Sequence, residues 1–362
     1  MMVTSSSRER NISCSDDPLD YHRCVESGVT WYREKLFIIV IITSILVILG
    51  LFLPPLYAFS IAFFDYISLV WWALLLGFLV GGVIDYLVPR EYIERYLSQH
   101  KKRSIVYSIV LGFLMSACSH GILAIAMELY RKGANVSSVI AFLLASPWAN
   151  LPITILLFGF FGLKAFLIVF AAIVIALVTG LIYLYFERRG FIECIHCAMG
   201  RHKMYNQEDF SLLLDIHKRI KNRSQSIVDI LVGVLKGSWA LTKMILWWLI
   251  IGMIMASLAR AYIPHQLFMM YMGPTWIGML FTLIFATIIE VCSEGSSPLA
   301  FEIFRRTGAF GNSFIFLMAG VATDYTEIGL IWHTIGRRSA VFLPIITVPQ
   351  ILVFAMIFNM FL

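Results

Sequence analysis

The sequence predicts an all-α integral membrane protein built from two internal repeats behind one extra N-terminal helix. Three observations lead there. First, 60% of the 362 residues are apolar and only 14% charged, with a mean hydropathy of +0.84. A soluble domain carries about 25% charged residues, so this chain has too few to coat itself for water. Second, the apolar residues form long runs rather than the periodic stripes of an amphipathic surface helix. The runs are long enough to cross a hydrocarbon core of ~30 Å, and no alternating barrel strands are present, so the spans are helices. Third, the polar interruptions within these runs recur at a fixed offset along the chain.

Taken in order, residues 1–35 read as a cytoplasmic polar tail. Residues 36–55 read as the extra transmembrane helix, an uncleaved anchor stopped by Pro54-Pro55. A first repeat over 56–186 starts with a span from about Ile67 to Val88. Ser104 to Tyr130 is interrupted at Cys118-Ser119-His120-Gly121, and Val136 to Phe161 at Ser146 to Pro152. Leu163 to Phe186 runs uninterrupted. Residues 187–226 form a basic, cytoplasmic loop carrying Cys194 and Cys197. A second repeat over 227–362 holds a span to Ile263 and a run interrupted at Cys292-Ser293-Glu294-Gly295. Next come a run broken between Gly320 and Glu327 and a last span to Leu362.

The repeats rest on matched landmarks. Trp71-Trp72 returns as Trp247-Trp248 at an offset of 176, and Pro89 returns as Pro264 at 175. Cys118-Ser119-x-Gly121 returns as Cys292-Ser293-x-Gly295 at 174, as do Arg131 with Arg305 and Phe142-Leu143 with Phe316-Leu317. Landmarks in one order, within two residues of one offset, mark a duplication. Broken segments at matching places in two halves point to a transporter's binding site.

Charge counting bears on how the segments cross. If every apolar segment spans, Lys and Arg divide 14 inside against 12 outside. If the two Cys-Ser-x-Gly segments re-enter, the division is 22 inside against 4 outside: Lys164, Arg260, Arg305 and Arg306. The positive-inside rule prefers re-entry. Each repeat then has three spans plus one re-entrant or broken helix, and an odd number of crossings inverts the second repeat. The expected location is the cell (cytoplasmic) membrane, multi-pass, with a cytoplasmic N-terminus. The net charge of +6 is explained by these flanking loops, which argues against nucleic acid as a partner.

Two groups of residues could carry chemistry. Cys118 and Cys292 offer soft thiolates at the glycine-permitted turns Gly121 and Gly295, with His120 and Glu294 at the variable position. These four form a metal-ligating set for a soft or borderline cation or a trivalent metalloid. The alternative is two small core cysteines at a tight crossing, with His120 bonded to backbone. The second group is acidic. Glu290, Glu294, Asp324 and Glu327 lie in apolar segments, with Asn150 at the position equivalent to Asp324. Each charge at the centre of a span costs roughly 3 kcal/mol, so such residues are functional candidates. Asp324 could also serve simply to cap a half-helix.

The loop pair Cys194 and Cys197, with His202 following, is half of a zinc knuckle without a second Cys-x-x-Cys. His217, or Cys14, His22 and Cys24 of the tail, could complete it; a solvated loop or a redox pair are the alternatives. No His-Glu-x-x-His and no Walker-type loop occur, so neither hydrolysis nor ATP-driven pumping is supported.

A Cys-x-x-Gly break, a basic-Gly turn and a broken Phe-Leu-x-Ala helix, each present twice, resemble the predicted-permease family of ArsP and YraQ type over roughly residues 60–362. The resemblance implies an efflux permease, since that family includes exporters of trivalent organoarsenicals and members assigned to copper or zinc. It implies functional roles for Cys118, Gly121, Cys292, Gly295, Asp324 and Glu327. His120 and Glu294 in place of further cysteines lean towards a mixed-ligand cation. The expected partners are the lipid bilayer, a small inorganic or organometallic substrate and protons, with a homo-oligomer compatible. No cofactor is expected beyond a metal ion bound as substrate. A thiol oxidoreductase using Cys194 and Cys197, or a channel-like module without coupled transport, are the other function classes.

The topology has a direct test. Single cysteines placed in residues 1–35 and in 187–226 of a cysteine-free chain are expected to label from the same side, and one placed after Leu362 from the other. Labelling of tail and loop from opposite sides would remove the re-entrant arrangement.

Overall fold

The computed structural model describes residues 35–87, 102–114, 119–131, 134–149, 151–192, 227–289 and 293–362. Those residues form fourteen α-helices and no strand. In the first half α1 is Lys35–Phe52, α2 Pro54–Leu87, α3 Lys102–Leu114, α4 Ser119–Arg131, α5 Val136–Ala149, α6 Leu151–Phe161 and α7 Ala165–Arg188. In the second half α8 is Ile227–Tyr262, α9 His265–Met272, α10 Trp276–Ile289, α11 Ser293–Thr307, α12 Phe310–Thr323, α13 Tyr325–Thr334 and α14 Arg337–Phe361.

Five described stretches are long and apolar enough to cross a bilayer: Pro54–Val83, Leu151–Arg188, Leu231–Tyr262, Phe310–Thr334 and Arg337–Phe361. Leu151–Arg188, at 38 residues, is nearly twice what a span needs. Gly162, at φ +58°, turns the chain between α6 and α7, a conformation that glycine adopts without steric cost. The second span, expected from about Ile67, instead begins at Pro54. Proline in the first turn of a helix gives up an N–H that would be unpaired anyway, so Pro54-Pro55 ends α1 and starts α2. A bend not expected from the sequence separates α9 from α10, at 100°. Gly273 and Pro274 lie at this corner, and the Asn312 amide donates to the carbonyls of Met272 (2.9 Å) and Gly273 (2.8 Å).

Contacts between helices fix their directions. α2 and α8 run antiparallel: Tyr262 donates to the Pro55 carbonyl (2.8 Å), while a Cβ on Gly82 would meet the Ser238 hydroxyl. α7 and α14 also run antiparallel, with Gln350 on Thr179 (3.0 Å), Tyr183 on the Ser339 carbonyl (2.6 Å) and Arg338 on the Phe191 carbonyl (3.2 Å). α3 and α5 lie parallel, joined by Ser104 and Ser138 (2.8 Å) at one level and by Gly112 against Ser146 further along. α10 and α12 are parallel as well, through Asn312 with Thr282 (3.4 Å) and Thr287 with Thr323 (2.7 Å). The chain between each parallel pair therefore leaves one end of the bundle and returns to it. The arms, 13 to 15 residues each, are about 20–22 Å long, short of a full crossing.

Basic residues separate by end. Lys164, Arg260, Arg305 and Arg306 gather at one, where Lys164 Nζ lies 4.7 Å from the centre of the Phe304 ring and Arg306 donates to the Arg260 carbonyl. Arg338 and the Phe191 end of α7 lie at the other.

The tightest crossing is α8 on α11, where a Cβ on Gly252 would lie 1.9 Å from the Gly295 carbonyl oxygen. The Cβ position is fixed by its own backbone and the atom it meets is backbone, so no side chain can rotate away. Gly252→Ala is expected to lower stability by about 1–3 kcal/mol, measured as thermal unfolding in detergent. Gly329→Ala is the control: a Cβ there meets nothing within 4 Å, and stability should hold or rise by about 0.5–1 kcal/mol. Equal losses would remove the close crossing as a constraint.

Candidate functional site

The site is built at the helix breaks. α11 starts at Ser293, immediately after the second Cys-Ser-x-Gly cysteine, and its first turns are Ser-Glu-Gly-Ser-Ser-Pro. Small residues let this segment pack closely, and Pro298 inside the helix removes one backbone hydrogen bond. Glu294 is fully buried (0% exposed) and accepts from the Ser293 hydroxyl at 3.1 Å. Ser297 bonds back to the Ser293 carbonyl at 2.9 Å.

The second break separates α12 from α13 at Asp324. Its φ of −58° and ψ of 127° are extended, and its carboxylate accepts from the Thr326 N–H (3.0 Å) and from the Thr326 hydroxyl. Asp324 is thus a genuine N-cap, satisfying a backbone donor that the break exposes. Glu327 sits in the first turn of the same helix, where an acid also favours the positive end of the helix dipole. Both acids are buried, at 7% and 3% exposure. Behind them the Thr287 and Thr323 hydroxyls join α10 to α12.

The broken helices cross-pack. α11, bearing Glu294, packs against α12 and α8, and also touches α6, which begins just past Asn150. α13, which begins just past Asp324, touches α4, and α5 touches α12. Gly295 forms the close crossing with Gly252.

Several expected positions lie outside the described residues: Cys118, Asn150, Glu290 and Cys292, and Cys194, Cys197 and His202 of the loop. His120 and Gly121 fall within α4, with no side-chain placement described. Among the described residues no group of three or more His, Cys, Asp or Glu could hold a metal ion. Of the proposed core ligands only Glu294 has a described side chain.

One buried acid escaped the sequence. Glu302 of α11 is 0% exposed and is held by Arg305 (3.0 and 3.2 Å), Arg306 (2.7 Å) and the Tyr66 hydroxyl. The only local signal was its spacing, with arginines three and four residues on.

The family model described as predicted permease (ArsP_1) matches residues 58–360, which takes in both halves and the breaks before α4, α11 and α13. The chain belongs to the predicted-permease family. Among similar proteins is one from Streptococcus mutans named as a subunit of a two-component membrane permease complex, 24% identical over 258 residues, or 70% of this chain and 79% of that one. Protein MJ0584 of Methanocaldococcus jannaschii is 23% identical over 320 residues, covering 74% and 86% of the two chains. YraQ of Escherichia coli is 26% identical over 120 residues, 32% and 34%. No solved structure matches. Family membership makes this permease a multi-pass membrane protein, in keeping with its apolar helices.

The cap and any charge-dependent role of Asp324 separate by substitution. Asp324→Ala is expected to lower stability by about 1 kcal/mol, whereas Asp324→Asn, an equally good cap, stays near the parent. Equal losses in thermal unfolding would show that the carboxylate charge itself holds the fold.

Proposed function

We propose that this permease is a secondary exporter, driven by proton exchange, of a heavy-metal cation or of a metalloid or organoarsenical, and that it acts as a transporter rather than an enzyme. The observation that carries this reading is the set of three buried carboxyls, Glu294, Asp324 and Glu327, at two helix breaks inside an apolar bundle. Ionisable side chains at that depth are costly and mark ion or proton pathways.

The architecture supports the same reading. Bounds recur at one spacing: Ser119 and Ser293 open α4 and α11, Val136 and Phe310 open α5 and α12, Leu151 and Tyr325 open α6 and α13. Matched helices α2 and α8, and α7 and α14, run antiparallel, the relation that an in-plane two-fold axis imposes. We read the two halves as inverted repeats with re-entrant arms meeting around a central site. The basic end of α7 and α14 is assigned to the cytoplasm by the positive-inside rule.

In this reading Cys118, His120, Cys292 and Glu294 receive the cation as substrate. Thiolates and carboxylates must lose protons to bind a metal, so proton entry promotes release. Asp324→Asn is expected to abolish gradient-driven flux in proteoliposomes while substrate binding is partly retained. Cys292→Ser is expected to weaken binding itself. Full gradient-dependent transport by both variants, across a panel of metals and arsenicals, would leave coupling through these residues without support.

A further inference from the structure

The two ends of the bundle are not alike. At the end where Pro55 meets Tyr262, α11 closes on α2, α6 and α8. Phe301 packs edge-on against Phe161 (5.6 Å between ring centres) and beside Phe160 (5.4 Å), and Phe161 also meets Phe304 and Phe310 at 6.0 Å. Beneath these rings lies Glu302, fully buried. Arg305 and Arg306 neutralise it from its own helix, at i+3 and i+4, so those pairs do not hold helices together. The ties between helices are the Tyr66 hydroxyl on Glu302 and the Arg306 guanidinium on the Arg260 carbonyl. Asp65 and Arg260 join α2 to α8 at 2.6 Å, but Asp65 is half exposed, and such a pair contributes little. Closure therefore rests on Tyr66, Glu302 and Arg306.

At the opposite end the equivalent turn has another character. Gly162 and Lys164 correspond to Gly336 and Arg338 at an offset of 174. There a cavity of about 590 Å³ lies between Trp332, His333, Ile335, Gly336, Arg337 and Ser339. Glu128, the counterpart of Glu302 on α4, is exposed. At the offset of 176 that matches this helix, Asp65 and Tyr66 become Leu241 and Thr242.

We infer that Glu302, with Tyr66 and Arg306, is the closed gate of one end of the permease. The gate ties down the helix that carries Glu294 at its other end, so releasing it opens a path to the central acid. This inference rests on the permease reading above, and names which residues hold the inaccessible side shut.

The test uses two cysteine probes in a chain whose six native cysteines are replaced, purified in detergent so that both ends meet a hydrophilic maleimide. The Trp332→Cys probe is expected to label readily and the Phe161→Cys probe slowly. Glu302→Gln should speed labelling of the Phe161→Cys probe roughly tenfold, as expected for loss of one buried charge-assisted hydrogen bond. Tyr66→Phe, which removes only the hydroxyl, should act in the same direction and decides the matter if Glu302→Gln does not fold. An unchanged rate at the Phe161→Cys probe in folded Tyr66→Phe protein overturns the gate and leaves a static clamp. Equal labelling of both probes in the parent does so too. Labelling needs no transport. Flux is measured in the chain that keeps its cysteines: its absence there, with an opening gate, would count against the permease reading alone, and retained flux with unchanged labelling against the gate alone.

Discussion

A helix broken inside hydrocarbon exposes N–H and C=O groups that no water can reach, and each unpaired group there costs several kcal/mol. The polar residues of this chain are placed by that constraint. Asp324 turns its carboxylate onto the Thr326 N–H where α13 begins, and Asn312 gives its amide protons to the Met272 and Gly273 carbonyls at the bend before α10. Elsewhere hydroxyls in intact helices fold back onto carbonyls one turn earlier: Thr43 on Ile39, Ser108 on Ser104, Ser146 on Phe142, Ser257 on Met253, Thr347 on Leu343. A back-bonded hydroxyl needs no other partner, which lets serine and threonine lie in the core. The breaks are thus tolerated because a capping side chain or another helix satisfies them, and a bundle that supports breaks can bring half-helix ends and carboxyls together.

Small residues set how closely that support can approach. Lipid tails are as apolar as leucine, so helices in a bilayer associate through close packing and interhelical hydrogen bonds rather than through the hydrophobic effect. Gly252 admits the Gly295 backbone, Gly82 admits Ser238, and Gly112 admits Ser146. The first contact seats the arm bearing Glu294. The third holds the parallel pair α3 and α5 in register, which makes the intervening arm return to the end where it began.

Much of this was legible in the sequence because composition and breaks are local signals. Runs of apolar residues, prolines and Cys-Ser-x-Gly motifs located the helices and interruptions, and an acid inside an apolar run announces itself; Gly121 and Gly295, read as turn glycines, instead lie inside α4 and α11. What was not legible depends on distant partners. Glu302 sits in Leu-Ala-Phe-Glu-Ile-Phe-Arg-Arg, which reads as the charged end of a helix; its burial comes from Tyr66, 236 residues earlier, and from the phenylalanines of α6. The bend at Gly273 was missed for a similar reason, since the amide that holds it belongs to Asn312. Pro54-Pro55 was legible as a break but not as a helix start, because the same pair is suited to both. Neither charge count fixes which helices touch, so a contact such as Tyr262 on the Pro55 carbonyl comes only with the fold.

The differences between the halves matter as much as their likeness. Two acids at equivalent central breaks would repel one another in a low dielectric, and holding both ionised would be costly. Equivalent positions instead carry Asp324 in one half and Asn150 in the other, and Glu294 in one motif corresponds to His120 in its counterpart. A carboxylate with an amide offers three acceptor oxygens but a single charge, which one proton can neutralise. The outer pair follows the same logic: Glu302 is buried and fully compensated, while Glu128 stays exposed. On the inverted-repeat reading proposed above, the frame gives a permease two similar shapes, one for each side. For the exporter proposed above, unequal side chains on that frame would give the two shapes different proton and ion affinities, and only such a difference lets a gradient choose between them.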